Sequence, residues 1–204
     1  CLICGTPTLR EPGNGTYTDV QCPRCGRYRA TDDFELLWQQ ESAARSPSTR
    51  GAASGWIRQN SGPLLQSADI PKLIALRPLP VAEKATRLLK LLERRYPVPG
   101  ESFNLQCDDP STLGECWAAG LSEVQYLATE YLGEERRYLL LPDARHLTGN
   151  AMTRVKISPA GWGFLESQRF PNPSSDIGFV AMWFDPSLEA LRECGLKAGI
   201  ALAG

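Results

Sequence analysis

Two pairs of cysteines near the start of the chain constrain its fold more than any other feature. "CLICG" supplies Cys1 and Cys4, and "CPRCG" supplies Cys22 and Cys25. In each CxxCG unit, the glycine after the second cysteine lets the backbone turn with a positive φ, so that both thiolates face one point. The sequence predicts that "TYTDVQ" is a strand leading into the second unit and that "GRYRAT" is the strand returning from it.

Four sulfurs presented by two such turns are the ligand set that structural Zn²⁺ prefers. We therefore predict a zinc ribbon over residues 1–30, with Cys1, Cys4, Cys22 and Cys25 as the ligands. Because so small a ribbon buries little apolar surface, the metal should carry its folding. The alternatives are two local disulfides or a redox CxxC, although a redox motif needs one pair on a thioredoxin-like unit.

The composition points to a cytoplasmic protein. The 204 residues include seven cysteines, and an odd number arranged partly as CxxC pairs suits a metal site in a reducing compartment better than a disulfide framework. With 22 basic and 23 acidic residues, the chain has no overall charge that would favour nucleic acid or acidic membranes. It also has no secretory signal and no apolar run near the ~20 residues of a membrane helix.

Residues 31–110 are predicted to be mainly helical. The clearest helix lies between Pro80 and Pro97, where apolar residues recur at three- and four-residue steps. Its other face carries the most basic surface of the chain, made of Lys84, Arg87, Lys90, Arg94 and Arg95. We interpret that face as solvated, with nucleic-acid contact as the alternative. Arg24, Arg27 and Arg29 beside the second CxxC are read in the same way, as a solvated rim with phosphate contact as the alternative.

Residues 111–170 contain a helix, two strands and a closing helix. The first helix is predicted to begin with Ser122 and Gln125 as a capping box and to end at Gly133. Strands are predicted over residues 136–141 and 153–158, and Ser158 should cap a helix begun by Pro159. This order, together with "ISPAGWGFLE", resembles a winged-helix domain.

The resemblance to a winged helix implies contact with DNA, for which Arg136, Arg154 and Lys156 are the candidate residues. The helix that would enter the groove carries four carboxylates and no basic residue before Arg136, which opposes binding to phosphates. Those carboxylates belong to Glu123, Glu130, Glu134 and Glu135. A role in protein contacts or as a spacer is therefore at least as well supported. His146, the single histidine, is expected in an exposed loop.

Residues 171–177 are predicted to be a linker, and residues 178–204 to begin an α/β domain. "GFVAMWF" is a continuous apolar run typical of a strand covered on both faces. Asp185 and Pro186 then start a helix. A strand and helix are the first half of a βαβ unit, which requires a parallel partner strand. We therefore expect this α/β domain to be incomplete in the chain.

The whole layout resembles a set of uncharacterised bacterial proteins with a zinc ribbon, a helical and winged-helix middle, and a C-terminal domain similar to nucleoside 2-deoxyribosyltransferases or TIR-like nucleotide hydrolases. The resemblance rests on "CLICG", "CPRCGRY", "SGWIRQN", "VAEKATRLL", "ISPAGWGFLE" and "GFVAMWFDPSLEAL". It implies a nucleotide or nucleoside ligand for the full-length protein, with a pocket edged by Trp183, Phe184, Asp185 and Ser187. The carboxylate that acts on an N-glycosidic bond would lie on a later helix, so the chain holds no catalytic residue.

The predicted fold class is therefore α+β and multi-domain. The predicted function is that of a zinc-binding regulatory or sensing part of a protein that processes N-glycosidic bonds, in prokaryotic defence or stress signalling. The alternatives are a DNA-binding transcriptional regulator built from a zinc ribbon and a winged helix, and a structural module for protein interactions. The sequence indicates no oligomeric state and assigns no role to Cys107, Cys116 or Cys194.

Overall fold

The computed structural model describes residues 1–13, 15–60, 62–142 and 152–169. This part of the chain combines seven α-helices with two small sheets, so the prediction of a mixed α and β fold is confirmed at that level. The predicted linker, the strand "GFVAMWF" and the helix after it lie outside the described residues, as do Trp183, Phe184, Asp185, Ser187, His146 and Cys194.

The first sheet has the cysteine pairs at one of its ends. Its strands are β1 (Leu9–Pro12), β2 (Tyr17–Cys22), β3 (Gly26–Thr31) and the short β4 (Leu64–Leu65), in that order across the sheet. β2 and β3 form the antiparallel pair that the sequence predicts, with Cys22 opposite Gly26. β4 adds to β3 in parallel, with Ala30 opposite Leu65.

Three helices cover this sheet and complete a first core. They are α1 (Asp32–Gln40), α2 (Pro47–Gln59) and α3 (Ile70–Ile74). The Thr31 hydroxyl accepts a hydrogen bond from the Phe34 amide, which caps α1 at its N-terminus. Phe34 and Trp38, one turn apart on α1, stack with ring centroids 5.6 Å apart and are buried against the sheet. Ile57 on α2 is fully buried in the same core.

The remaining elements build a second core around α4 (Val81–Arg95). In chain order they are β5 (Ser102–Gln106), α5 (Pro110–Glu115), α6 (Leu121–Tyr126) with a π-helical continuation (Leu127–Glu135), β6 (Leu139–Leu140), β7 (Met152–Ile157) and α7 (Pro159–Arg169). Leu88, Leu89 and Leu92 of α4 are fully buried there. Ser158 accepts a hydrogen bond from the Gly161 amide at 3.0 Å, which confirms it as the N-cap of α7.

β5 is a strand that the sequence analysis did not predict. It pairs antiparallel with β7, which also pairs with β6, so the order of the second sheet is β5-β7-β6. Phe103 and Leu105 are buried in the core while Asn104 and Gln106 are exposed, which is the two-residue period of a strand. Alternation over only five residues is a weak local signal for a strand. The strand forms because it pairs with β7, which lies about fifty residues further along the chain.

The prediction that the basic face of α4 is solvated is wrong for Lys84. Its side chain is buried, and its ammonium donates a hydrogen bond to Glu123 Oε1 at 2.6 Å. Arg94 pairs with Glu115, and Arg95 pairs with Asp109. Because these partners come from later segments, much of the charge that the sequence places on this face is neutralised within the fold.

The helix over residues 121–135 also differs from its prediction. Gly120, not Ser122, is the N-cap residue, and no side chain caps the helix there. Gly133 does not end the helix, because the π-helical part runs through it to Glu135. Arg137 then reverses the chain with a φ of 54°, so the following strand is reduced to Leu139–Leu140.

Among the helices in the described ranges, not one combines the length and the apolar character needed to cross a membrane.

Candidate metal centre

The two CxxC units bring their four sulfurs together at one end of the first sheet. The Sγ atoms of Cys1, Cys4, Cys22 and Cys25 all lie within 4.8 Å of one another. Cys1 Sγ is 3.7 Å from Cys25 Sγ, and Cys4 Sγ is 3.6 Å from Cys22 Sγ. With Zn–S bonds of about 2.3 Å, a regular tetrahedron places its sulfurs about 3.8 Å apart. The four side chains can therefore hold a metal ion.

The same local turn presents each pair of thiols. Gly5 and Gly26, which follow the second cysteine of each unit, both have a φ of +80°. In the first unit, the Gly5 amide donates a hydrogen bond to the Cys1 carbonyl at 2.8 Å. In the second unit, the Cys25 amide donates to Cys22 Sγ at 3.3 Å. The positive φ that the sequence predicts for these glycines is confirmed.

Two hydroxyl groups lie next to the sulfurs. Thr6 Oγ1 is 3.2 Å from Cys4 Sγ, and the Tyr28 hydroxyl is 3.2 Å from Cys1 Sγ. As hydrogen-bond donors to thiolates, they would offset part of the negative charge of a four-thiolate site and orient its ligands. Neither residue is predicted from the sequence as part of the centre. A signal for Tyr28 exists in the sequence, since alternation along β3 places Tyr28 on the same side as Ala30, facing the core.

Burial makes the cluster a poor place for several uncompensated thiolates. Cys25 is fully buried, Cys22 and Cys4 are nearly so, and Cys1 is partly exposed. Hydrogen bonds from Cys22 and Cys25 lower the pKa of Cys4 to about 2. The same sulfur contacts, together with burial, raise the pKa of Cys25. The cluster therefore stabilises negative charge on one sulfur at the expense of the others, and a bound cation is what permits all four to ionise.

Four protein ligands complete a tetrahedral shell. A catalytic zinc site keeps one position for water or substrate, whereas a structural site does not. The donor set therefore fits a structural metal and provides no Lewis-acid position for a reaction.

The arginines beside the second unit have different environments. Arg27 and Arg29 are exposed, in agreement with the predicted solvated rim. Arg24 is not part of that rim, because its side chain is buried and its Nη2 donates to the Ala118 carbonyl at 2.5 Å. The prediction for Arg24 is wrong because its carbonyl partner lies in the second core, far along the chain.

The candidate nucleic-acid residues lie at the surface of the second sheet and its neighbouring helix. Arg154 and Lys156 alternate with the buried Val155 and Ile157 on β7, so both project from its outer side. Arg136 is exposed beside Glu135 and donates to the Tyr131 hydroxyl at 3.2 Å. The residues proposed to edge a nucleotide pocket belong to the part of the chain that the structure does not describe.

Comparisons of the chain with protein-family models, with curated proteins and with solved structures find no match.

Proposed function

We propose that Cys1, Cys4, Cys22 and Cys25 bind one structural Zn²⁺. The observation that carries this proposal is the grouping of the four sulfurs within 4.8 Å of one another, with two separations of 3.6 and 3.7 Å that are close to the ~3.8 Å of a tetrahedral thiolate site. The first sheet is small and its strands are short, so the bond energy of a metal would add directly to its folding free energy. Zinc would also compensate the negative charge that the four sulfurs carry as thiolates.

We further propose that residues 81–169 act as a winged helix. The support is the element order of α4, β5, α5, α6, β6 and β7, with a three-stranded sheet in which β6 and β7 are antiparallel neighbours. This proposal extends the predicted winged helix toward the N-terminus, because α4 and β5 would serve as its first helix and first strand.

For the larger role, we propose a regulatory or sensing module of a protein that processes nucleosides or nucleotides. The support is the sequence resemblance described above, with the metal centre as a non-catalytic element of that module. The test is release of free base from nucleosides or NAD by a longer protein that contains this chain, with the purified chain as the negative control. Absence of base release from the longer protein would remove this part of the proposal.

DNA binding is the second candidate, favoured by the outward position of Arg154 and Lys156 on β7. Against it, Glu130 and Glu134 are exposed on the helix that would enter the groove. A duplex DNA shift at low salt that is lost in an Arg154→Glu/Lys156→Glu variant would support this candidate. The absence of any shift at low salt would exclude it.

Zinc content is the direct test of the metal proposal. We expect about one Zn per chain by elemental analysis after purification without chelator, and loss of that zinc in a Cys22→Ser variant. Cys107→Ser is the matched control, because Cys107 is equally buried, follows β5 in the second core and lies outside the cluster. Wild-type protein with far less than one Zn per chain would contradict the proposal.

A further inference from the structure

The loop between the ligands Cys22 and Cys25 packs directly against the turn that joins α5 to α6. We call that turn, residues 114–118, the α5–α6 corner. Arg24 Nη2 donates to the Ala118 carbonyl at 2.5 Å. A Cβ added to Gly114 would lie 2.1 Å from the Arg24 carbonyl oxygen, so only glycine permits this approach. The ligand loop and the corner are thus in backbone contact.

Helix α2 joins the same contact through Arg58. Its Nη1 donates to the carbonyls of Pro23 and Arg24, at 3.1 and 3.3 Å. Its Nε donates to Glu115 Oε2 at 3.2 Å. One guanidinium therefore holds two carbonyls of the ligand loop and a carboxylate of the corner.

The corner itself contains a strained residue. Trp117 has a φ of 54°, a left-handed conformation that is rare and costly for a bulky side chain. Its ring is held against Gly55 of α2, where an added Cβ would lie 2.1 Å from the ring, and the Arg87 guanidinium lies over it at 5.5 Å. Such a conformation persists only where surrounding contacts impose it.

We propose that metal binding at the four-cysteine centre is energetically coupled to the packing of the α5–α6 corner. This inference rests on the proposed function, namely that the centre binds Zn²⁺. When bound, the metal holds the Cys22–Cys25 loop in the one shape that presents its carbonyls and Arg24 to the corner. Without it, the contacts from Arg24 and Arg58 lose their fixed geometry, and Trp117 loses part of the support for its left-handed φ.

The corner leads directly into α6, so a change in the packing of the corner would also affect the start of that helix. α6 begins at Leu121 and continues as nine residues of π-helix, a rare conformation that is frequently found at functional sites. The exposed face of this helix is the surface that a winged helix uses for recognition. Zinc binding at the four cysteines would therefore alter the conformation at the start of α6, which follows the corner that the Cys22–Cys25 loop contacts.

The first experiment uses the reciprocity of coupling. If zinc binding stabilises the packing of the corner, a substitution that disturbs this packing must weaken zinc binding by the same free energy. Zinc affinity is measured on the full chain by competition with a chromophoric chelator. We expect Gly55→Ala to weaken it by about tenfold, within the usual range of coupling. Two controls should stay within about threefold of wild type. Gly163→Ala lies on α7 with open space around it, and Val155→Ala destabilises the second core away from the corner.

Hydrogen exchange supplies the second experiment and does not depend on Gly55→Ala folding. In wild type, zinc removal should speed amide exchange over residues 114–123 at least tenfold more than over β5 and β7. In Arg24→Met this local effect should shrink to that of the sheet, whereas Arg27→Met, which replaces an exposed arginine three residues further along the chain, should behave as wild type.

The outcomes separate the inference from the function on which it rests. A wild-type chain that binds no zinc overturns the proposed metal centre. Zinc binding that Gly55→Ala leaves unchanged, or that Val155→Ala weakens as much, overturns the coupling alone. Equal acceleration of exchange in the corner and in the sheet also overturns it, because that result means unfolding of the whole unit.

Discussion

Arg24 donates a hydrogen bond to the carbonyl oxygen of Ala118, which is 2.5 Å away in space and 94 residues away in sequence. Arg24 lies between two of the candidate metal ligands, and Ala118 lies at the turn between α5 and α6. Both are buried, so the bond forms where water does not compete for either partner. It is a direct link between the metal-ligand loop and the second core.

Replacing Arg24 should therefore destabilise the fold. Arg24→Met keeps most of the side-chain volume and leaves the Ala118 carbonyl without its charged donor, which we expect to lower the free energy of unfolding by about 2 kcal/mol. Arg27→Met is the control, with an expected change within about 0.5 kcal/mol, because Arg27 is exposed. Urea denaturation of the zinc-loaded proteins measures both. Equal stabilities of the two variants would contradict the prediction.

Gly114 tests the close approach of the two backbones. Gly114→Ala would place a Cβ 2.1 Å from the Arg24 carbonyl oxygen, and we expect a loss of about 2–3 kcal/mol because the backbones must separate. Gly163→Ala is in an exposed helical position, and its added Cβ would meet nothing within 4 Å outside the backbone of its own helix, so it should instead raise stability by about 0.5–1 kcal/mol. Thermal denaturation compares the two. A Gly114→Ala protein as stable as wild type would show that the contact is loose.

The pair of Lys84 and Glu123 should be strongly non-additive. Glu123→Gln leaves the buried Lys84 ammonium without its carboxylate, and we expect a loss of about 1–2 kcal/mol, less than for a fully buried pair because the Glu123 side chain is 28% exposed. Lys84→Met should cost less, since it removes the buried charge. A double-mutant cycle in chemical denaturation should give an interaction energy of about 1 kcal/mol. Simple additivity would argue against the pair.

Asp109 should make stability depend on acid pH. Burial raises the pKa of this carboxyl, but hydrogen bonds from Ser111, Thr112 and Arg95 outweigh it and hold the pKa below its usual range. A depressed pKa in the folded state means that the stabilisation is present above the ordinary aspartate value of about 3.9 and is lost as the pH falls through the folded pKa.

The measurement for Asp109 compares unfolding free energies between about pH 5 and pH 2. Asp109→Asn should show a shallower loss of stability than wild type over this range. Asp108→Asn removes the neighbouring exposed carboxylate and should retain the wild-type slope. Because acid would displace a metal bound at the four cysteines from all three proteins alike, the difference between their slopes isolates Asp109. Identical slopes for all three would contradict the assignment.

Tyr28 should tune the metal centre through its hydroxyl. Tyr28→Phe removes the hydroxyl 3.2 Å from Cys1 Sγ and keeps the ring, and we expect zinc affinity to fall about tenfold because an oriented thiolate loses its donor. Tyr126→Phe is the control, since Tyr126 is exposed on α6, and should bind zinc as wild type does. Chelator competition measures both affinities. Unchanged affinity in Tyr28→Phe would mean that the hydroxyl does not contribute.

Much of the metal centre follows from the sequence because its geometry is local. The CxxCG spacing and the positive φ of Gly5 and Gly26 orient each pair of thiols within five residues, and the β2–β3 hairpin brings the second pair into place. Capping of α7 by Ser158 was likewise accessible, because the Ser-Pro order acts over a few residues. The metal itself remains a proposal.

The incorrect predictions concern long side chains and short elements. Lys84 and Arg24 are charged residues that the sequence analysis placed in solvent, and each is buried with a hydrogen-bond partner on a distant segment. Ser122 has the right spacing for a capping box, yet Gly120 begins the helix because Glu123 is engaged by Lys84 and by the Ala119 amide.

The sequence by itself determined where four sulfurs would converge, since short-range sterics and hydrogen bonding set the conformation of each CxxCG turn. Only the tertiary structure decided that β5 pairs with β7, that Trp117 takes a left-handed φ, and that the ligand loop rests on the α5–α6 corner. Those features depend on desolvation and pairing between segments tens of residues apart. Such energies arise only when the segments meet, so they leave no periodic pattern in the chain.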